Sequence, residues 1–291
     1  MPKTPPDVDL LADFRANLGE GPCWVEHEQA LYWIDINSCK LFRWSEDQGA
    51  TTRELTTKLC SIVPRVGGGY IGGSYDGWVA ISEKFEISPI ADPEPTIKDN
   101  RFNDAKVDRK GRLWAGTMDR HERQASGSLY RMDRDLTWKQ IDTGYRVTNG
   151  PAFTTDGRTM YHTDSAIQKV YAFDLDTGGD PIGRRLFLQF THEDGYPDGM
   201  TVDAEDCLWI AFWDGWCVRR YSPNGEFLSE YSVPVQKPTS VAFGGRDLDK
   251  LFISSASRDL TEAQLVAQPG AGGLHAFNPG VTGIAEQPFA G

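Results

Sequence analysis

One short pattern occurs six times along the chain. A turn rich in glycine, aspartate or asparagine leads into a run of apolar and aromatic residues, and these runs start at residues 31, 69, 113, 160, 208 and 251. Successive starts are 38 to 48 residues apart, a period typical of propeller blades. A second strand-like run follows each of the six. We therefore predict a nearly all-β fold, a six-bladed β-propeller.

The rest of the chain is consistent with a single propeller domain spanning residues 1–291. Residues 1–9 are expected to form a loose N-terminal tail, and residues 10–17 to supply the strand that closes the ring and covers its edges. Turn residues such as Asp76-Gly77, Asp156-Gly157 and Asn224-Gly225 predict hairpins. One short helix is predicted over 260–267, capped by Ser257 or Asp259.

Charge and cysteine content exclude several classes of protein. The formal net charge of −12 disfavours nucleic acid or anionic lipid as a partner, because either requires a basic surface. The chain has no apolar run long enough to cross a membrane and no apolar signal segment at its start. Five widely spaced cysteines without a C-x-x-C pair indicate reduced, mostly buried thiols. We predict a cytoplasmic protein and leave its oligomeric state open, a monomer being compatible.

Two apparent motifs carry no function. Residues 67–72 match G-x-G-x-x-G, but another strand follows instead of the helix that a dinucleotide site needs, so the glycines are interpreted as close packing at a blade's inner strand. The five histidines stand far apart, without metal-ligand spacing. We expect ordinary hydrogen-bonded or exposed histidines, with His121 the one to follow.

Four polar stretches precede the repeated runs at similar distances, namely residues 18–22, 101–104, 148–151 and 196–199. Loops that lead into successive blades point at the mouth of the central channel, so their side chains should meet there. The carboxylates Glu20 and Asp198 and the amides Asn103 and Asn149 supply hard oxygen ligands. This set suits one divalent cation: Ca²⁺, Mg²⁺ or Mn²⁺ by ligand type, with Fe²⁺ and Zn²⁺ left open.

The same stretches resemble those of a known family. Leu-Gly-Glu-Gly-Pro at 18–22, Arg-Phe-Asn-Asp at 101–104, Asn-Gly-Pro at 149–151 and Pro-Asp-Gly-Met-Thr-Val-Asp at 197–203 are similar to motifs of the SMP-30/gluconolactonase family, whose members include regucalcin and bacterial sugar lactonases. The resemblance covers essentially the whole chain. It implies a six-bladed propeller that holds one divalent metal in its channel and hydrolyses aldonolactones to aldonic acids.

The resemblance also implies roles for individual residues. Glu20, Asn149 and Asp198 would bind the metal, while Arg101 and Asn103 would contact oxygen atoms of the substrate. Some members place a substrate-contacting glutamate shortly after the Gly-Thr-Met that corresponds to residues 116–118. Here that region contains both His121 and Glu122, and which of the two faces the channel stays open.

For lactone hydrolysis, Asp198 is our candidate general base as well as a ligand, and Arg101 would donate to a ring or carbonyl oxygen. The alternative interpretation is that Arg101 forms an ion pair at the protein surface. Aromatic faces such as Trp213 or Trp24 would border the substrate. A closer likeness to bacterial pentonolactonases favours a pentonolactone such as xylono- or arabinonolactone. The alternatives are a gluconolactonase, a phosphotriesterase on a similar propeller, a non-enzymatic, calcium-binding, regucalcin-like propeller, and a protein-interaction propeller that needs no metal.

Overall fold

Six four-stranded antiparallel sheets make up the structure, a computed structural model that describes residues 7–291. The first strand, β1 (Asp9–Ala12), belongs to the last sheet. Blade one contains β2 (Gly19–Val25), β3 (Ala30–Asp35), β4 (Lys40–Ser45) and β5 (Gly49–Glu54). Blade two contains β6 (Val63–Pro64), β7 (Tyr70–Ser74), β8 (Gly77–Ile81) and β9 (Ile87–Ala91). Blade three contains β10 (Asn100–Val107), β11 (Leu113–Asp119), β12 (Gly127–Met132) and β13 (Trp138–Tyr145).

The second half of the chain repeats this arrangement. Blade four contains β14 (Thr148–Phe153), β15 (Thr159–Asp164), β16 (Lys169–Leu175) and β17 (Pro181–Gln189). Blade five contains β18 (Tyr196–Val202), β19 (Leu208–Trp213), β20 (Cys217–Tyr221) and β21 (Phe227–Ser232). Blade six contains β22 (Pro238–Gly244), β23 (Lys250–Ser255), β24 (Leu274–Phe277) and β1. The helices are α1 (Glu262–Ala267) and the single 3₁₀ turns Glu26–Glu28, Ser165–Ile167 and His192–Asp194.

The blades form a closed ring around a central channel. The first strands of successive blades contact one another from β6 through β10, β14, β18 and β22 to β2, and one core cluster joins blades one and two. Strand β1 completes the ring by pairing with β24, with Asp9 opposite Ala276 and Leu10 opposite His275. The predicted six-bladed propeller is thus confirmed. A closing strand is present, but it spans Asp9–Ala12 instead of the predicted 10–17. It therefore includes Asp9, which was assigned to the tail 1–9, and residues 1–6 of that tail lie outside the described part.

The repeated apolar runs of the sequence are the second strands of the blades. Strands β3, β7, β11, β19 and β23 contain almost only buried residues, because neighbouring blades cover both faces of each sheet. A continuous apolar run is the expected pattern for such a strand. Two of these strands, β11 and β19, each contain a tryptophan that is hydrogen-bonded to an aspartate of the same blade. The indole Nε1 of Trp114 donates to Asp108, and that of Trp209 donates to Asp203, both at 2.8 Å.

Local predictions are mostly confirmed, with two corrections. A Cβ on Gly72 would lie 1.9 Å from the backbone oxygen of Ser61, so this glycine serves close packing, but its strand β7 is the second of its blade, not the innermost. Helix α1 begins at Glu262 and is capped by Thr261, whose side chain accepts a hydrogen bond from the Gln264 amide. Neither Ser257 nor Asp259 caps it.

The cysteines are all free, and three of them, Cys60, Cys207 and Cys217, are buried. Within residues 7–291, no helix is both long enough and apolar enough to cross a membrane.

The expectation for the histidines is wrong at two positions. His162 and His275 are fully buried, and their ring nitrogens have no hydrogen-bond partner among the described residues.

His275 makes the fold sensitive to acid. Burial lowers its pKa to about 4, whereas an unfolded histidine has a pKa of about 6.5. As the pH falls from about 6.5 to about 4, the unfolded state therefore binds a proton that the folded state does not. We expect His275 to reduce the free energy of unfolding by up to about 1.4 kcal/mol per pH unit over this range.

Urea unfolding between pH 7 and pH 4.5 measures this dependence. A His275→Leu variant should show a shallower pH slope than the wild type, since the leucine cannot bind a proton in either state. His27→Leu is the matched control, because the side chain of His27 is exposed. Equal slopes in the wild type and the His275→Leu variant would contradict the prediction.

Candidate functional site

In five blades, the pairing register between the innermost strand and the second strand shifts near the start of the innermost strand. The shifts fall between Glu20 and Cys23 in β2, Phe102 and Ala105 in β10, Asn149 and Ala152 in β14, Pro197 and Met200 in β18, and Pro238 and Ser240 in β22. A bulge bends a strand and redirects its side chains. Glu20, Asn103, Asn149 and Asp198 lie at these bulges, inside the innermost strands. Their predicted place, in the loops that lead into the blades, is corrected accordingly.

A cavity of about 450 Å³ opens at this end of the channel. Six of the seven polar site residues predicted from the sequence line its wall, and these are Glu20, Arg101, Asn103, Glu122, Asn149 and Asp198. The seventh, His121, does not. The repeat phase of the polar stretches therefore brings together residues that are up to 178 positions apart in the chain.

Two carboxylates lie buried in the cavity wall without a positively charged partner in direct contact within residues 7–291. Glu20 is 5% exposed and Asp198 6%, and Oδ1 of Asp198 has no hydrogen-bond partner among the described residues. Burial raises the pKa of both groups well above the usual range, and nearby carboxylates raise it further: Asp104 for Glu20, and Glu20 and Asp104 for Asp198. The charge of Arg101 acts in the opposite direction on Glu20, but burial and the neighbouring carboxylate outweigh it, and a divalent cation can supply the missing positive charge.

A third carboxylate, Asp104, belongs to the same cluster but was not among the predicted site residues. It is buried, and one of its oxygens accepts the backbone N–H of Gly150 at 3.0 Å. Burial raises its pKa to about 6. The Asn-Asp pair at 103–104 was visible in the sequence, but strand alternation places consecutive side chains on opposite faces. The register shift between Phe102 and Ala105 in β10 interrupts this alternation at Asn103 and Asp104.

A chain of hydrogen bonds orients the two amides. Nη1 of Arg101 donates to Oδ1 of Asn103 at 2.7 Å, and Nδ2 of Asn103 donates to Oδ1 of Asn149 at 2.9 Å. Nδ2 of Asn149 in turn donates to Oγ of Ser165 at 2.8 Å. Asn149 thus has its nitrogen occupied by Ser165, and its oxygen, which has two lone pairs, keeps one for a further partner.

These donors fit a hard divalent cation. Carboxylate and amide oxygens are the ligands that Ca²⁺, Mg²⁺ and Mn²⁺ prefer, and Asp198 offers a buried oxygen with no other partner. Among residues 7–291, no three His, Cys, Asp or Glu side chains are grouped so as to hold a metal by themselves. A cation at Glu20 and Asp198 would therefore need the amide oxygen of Asn149 as well, and would keep positions for water or substrate.

Arg101 is buried in the cavity wall and makes no ion pair within the described part of the chain. Its guanidinium lies 5.4 Å from the centre of the Tyr75 ring, and its Nε has no hydrogen-bond partner in the part of the chain that the structure describes. The alternative reading of this residue, a surface ion pair, does not describe its position.

The loop after β11 places His121 and Glu122 in different directions. The carboxylate of Asp119 accepts the backbone N–H groups of His121, Arg123 and Gln124 at 2.9 to 3.1 Å, which wraps the loop into a tight turn. In this turn His121 is half-exposed, with Nε2 at 3.8 Å from Asp99, whereas Glu122 lines the cavity. Of the two candidates, Glu122 is the one that faces the channel.

The aromatic and basic residues of the wall come partly from unexpected positions. Trp213 lines the cavity, but Trp24 packs in the core against Phe252, with ring centres 5.8 Å apart. Lys237 is a buried lining residue that the sequence analysis did not single out, and its Nζ lies 4.5 Å from the centre of the Trp213 ring. No local motif surrounds Lys237, so only the tertiary structure reveals it.

Comparisons with known proteins agree with this architecture. The chain is 38% identical to the pentonolactonase XacC of Haloferax volcanii, over 87% of this chain and 86% of the relative. It is 36% identical to a 6-deoxy-6-sulfogluconolactonase of Pseudomonas putida, over 94% and 95%. The crystal structure of a calcium-binding protein, regucalcin, from Agrobacterium tumefaciens superimposes with a TM-score of 0.92 at 26% identity, covering 98% of this chain and 97% of that one.

The model of one protein family, the SMP-30/gluconolactonase/LRE-like region, matches residues 18–257, a range that includes all seven polar site residues predicted from the sequence. The family resemblance seen in the motifs is thereby confirmed: the chain belongs to the SMP-30/gluconolactonase/LRE-like family.

Proposed function

We propose that this protein is a divalent-cation-dependent lactonase that hydrolyses a sugar lactone to its aldonic acid, with a pentonolactone as the favoured substrate. The observation that carries the proposal is the buried pair Glu20 and Asp198, which forms no ion pair among the described residues and lies beside the hydrogen-bonded chain Arg101, Asn103 and Asn149 in the channel cavity. Two relatives named as lactonases, at 38% and 36% identity, support the reaction class.

Each residue has a role that follows from its position. Glu20, Asn149 and Asp198 would hold the cation, which when bound supplies Lewis-acid stabilisation of the lactone carbonyl and lowers the pKa of water. Asp198, with one oxygen free of hydrogen bonds, would accept the proton of the attacking water. Arg101 would donate hydrogen bonds to substrate oxygens, and its buried charge would stabilise the oxyanion as the carbonyl is attacked. Nδ2 of Asn103 donates both of its protons within the protein, to the Thr148 carbonyl and to Oδ1 of Asn149, so Asn103 would orient Arg101 and Asn149 instead of donating to the substrate.

The substrate class follows from the wall of the cavity. Amides, carboxylates and an arginine provide hydrogen bonds for hydroxyl groups, and Trp213 offers an aromatic ring. A volume of about 450 Å³ suits a small lactone. The pentonolactonase relative favours a five-carbon substrate, while the sulfogluconolactonase relative keeps a six-carbon lactone as the alternative. A cytoplasmic location and a single-domain organisation stay predictions.

A non-enzymatic calcium-binding protein is the second candidate function. The neighbouring regucalcin structure is described as calcium-binding, and the carboxylate cluster around Glu20 and Asp198 would serve that role equally well. Such a protein has no need of a buried arginine in hydrogen-bond contact with the amides. The arrangement of Arg101 therefore favours the enzyme.

A hydrolysis assay at constant pH tests the proposal. Protein purified without chelator or added metal is first analysed for bound metals, then assayed with xylonolactone, arabinonolactone, gluconolactone and the phosphotriester paraoxon, before and after treatment with EDTA. We expect turnover of at least one sugar lactone that EDTA abolishes and a divalent cation restores. Cation binding without lactone turnover would favour the calcium-binding alternative, and turnover of paraoxon alone would indicate a phosphotriesterase.

Arg101→Lys tests the substrate contact separately from the metal site. Lysine keeps the positive charge but loses the planar, forked donor that can bond to Asn103 and to a substrate oxygen at once. We expect kcat/KM for a pentonolactone to fall about tenfold or more, with the affinity for the cation unchanged within about twofold. Unaltered kinetics in this variant would remove Arg101 from the substrate site, and a parallel loss of cation affinity would reassign it to the metal site.

A further inference from the structure

Two loops from opposite blades meet at the mouth of the cavity. Glu122 lies between β11 and β12 of blade three, and Arg258 lies after β23 of blade six. Nη1 of Arg258 is 3.3 Å from Oε1 of Glu122, and both residues line the cavity that contains Glu20 and Asp198. The two side chains are 36% and 43% exposed, whereas Glu20 and Asp198 are 5% and 6% exposed. The ion pair therefore lies on the solvent side of the carboxylate cluster.

The backbone on each side of this pair is held in place. On blade three, the Asp119 carboxylate organises the turn that presents Glu122, and the backbone N–H of Glu122 donates to the Asp119 carbonyl at 2.9 Å. On blade six, the backbone N–H of Arg258 donates to the Asn17 carbonyl at 2.9 Å. The carbonyl of Arg258 accepts Nζ of Lys237, also at 2.9 Å. Movement at the mouth is thus left mainly to the two long side chains.

From this arrangement we infer that Glu122 and Arg258 form a strap across the mouth of the cavity, and that Arg258 determines the size of the lactone that the site accepts. The inference rests on the proposed lactonase function and adds a specificity residue to it. A half-exposed ion pair is weak, so the strap opens readily. A small lactone allows it to close again over the bound ring, whereas a lactone with a bulky substituent holds it open.

Arg258 also positions Glu122. A glutamate at the edge of the cavity would otherwise move freely, because its side chain accepts no other hydrogen bond within the described residues. With Arg258 on one oxygen of its carboxylate, the other oxygen has a defined place from which to accept a hydroxyl group of the substrate. Arg258 is on this account a positioning residue, which acts on the substrate through Glu122.

The test compares two substrates that share one ring: a pentonolactone and the same lactone carrying a benzyl ether on its terminal hydroxyl. The measured quantity is the ratio of kcat/KM for the bulky lactone to that for the small one. We expect Arg258→Ala to raise this ratio at least tenfold, mainly through a lower KM for the bulky lactone. Arg258→Lys keeps the charge and should remain within about threefold of the wild-type ratio.

Two controls separate the strap from a general effect on structure. Arg120→Ala removes an arginine that is also 36% exposed and lies in the same loop as Glu122, but pairs with Asp99, so the ratio should not change. High salt weakens exposed ion pairs, so it should raise the ratio in the wild type and have no such effect in Arg258→Ala.

An Arg258→Ala ratio within twofold of the wild type, or an equal change in Arg120→Ala, would overturn the strap while leaving the lactonase proposal intact. A wild-type protein that hydrolyses neither lactone, with a divalent cation present, would overturn the proposed function and this specificity role together. A raised ratio in Arg258→Ala that salt does not reproduce in the wild type would refute the ion pair as the cause.

Discussion

Asp198→Asn is expected to lower kcat for lactone hydrolysis by about 100-fold or more, while the propeller remains folded. Asparagine has nearly the same shape as aspartate, but it cannot accept a proton from water and brings one negative charge less to the cation. The loss of the proton acceptor and the loss of a charged ligand thus both slow the attack of water on the lactone carbonyl. The measurement is kcat on a pentonolactone at saturating divalent cation, with thermal unfolding recorded on the same sample.

The expected effect on stability distinguishes this site residue from a structural one. Asp198 is a buried carboxylate with an unpartnered oxygen and two carboxylates nearby, so its neutral substitute relieves repulsion in the cation-free protein. The melting temperature of the cation-free variant should therefore equal or exceed that of the wild type. Asp214→Asn, which changes another aspartate of the cavity wall, is the matched control and should keep turnover within about threefold. Undiminished turnover in Asp198→Asn would sink the assignment.

Removal of the cation should lower the melting temperature by several degrees as well as abolish turnover. A ligand that binds only the folded state stabilises it by about 4 kcal/mol when its concentration is 1,000 times its dissociation constant. For a chain of this size, that corresponds to a shift of the order of 10 °C. Because Glu20, Asn149 and Asp198 come from blades one, four and five, the cation would connect distant parts of the ring.

Calorimetry after dialysis against EDTA, with Ca²⁺, Mg²⁺, Mn²⁺, Fe²⁺ or Zn²⁺ added back one at a time, measures the shift and ranks the cations. The Asp198→Asn variant is the control, since the loss of a charged ligand should shrink the shift with every ion. A melting temperature that does not respond to EDTA, in a protein that keeps full turnover, would show that the metal assignment is wrong.

The sequence by itself determined the architecture, for a physical reason that acts locally. The second strand of each blade is covered on both faces, so the same apolar run recurs once per blade. Turn residues such as Gly77 and Gly157 adopt the positive φ that their hairpins require. The polar stretches at Glu20, Asn103, Asn149 and Asp198 recur at one phase of this period. That repetition alone predicted that they would meet.

Only the tertiary structure decided where side chains point and which residues from distant blades contact one another. The bulges in the innermost strands bring Asp104 into the cluster, and the Asp119 turn sends Glu122 to the cavity and His121 to the surface. Lys237 and Arg258 carry no local motif and reach the mouth only because blade six lies opposite blade three. The spacing of the repeats shows which residues lie at the same height along the channel. The direction of each side chain depends on local strand register and on contacts between blades, and no single segment of the sequence contains that information.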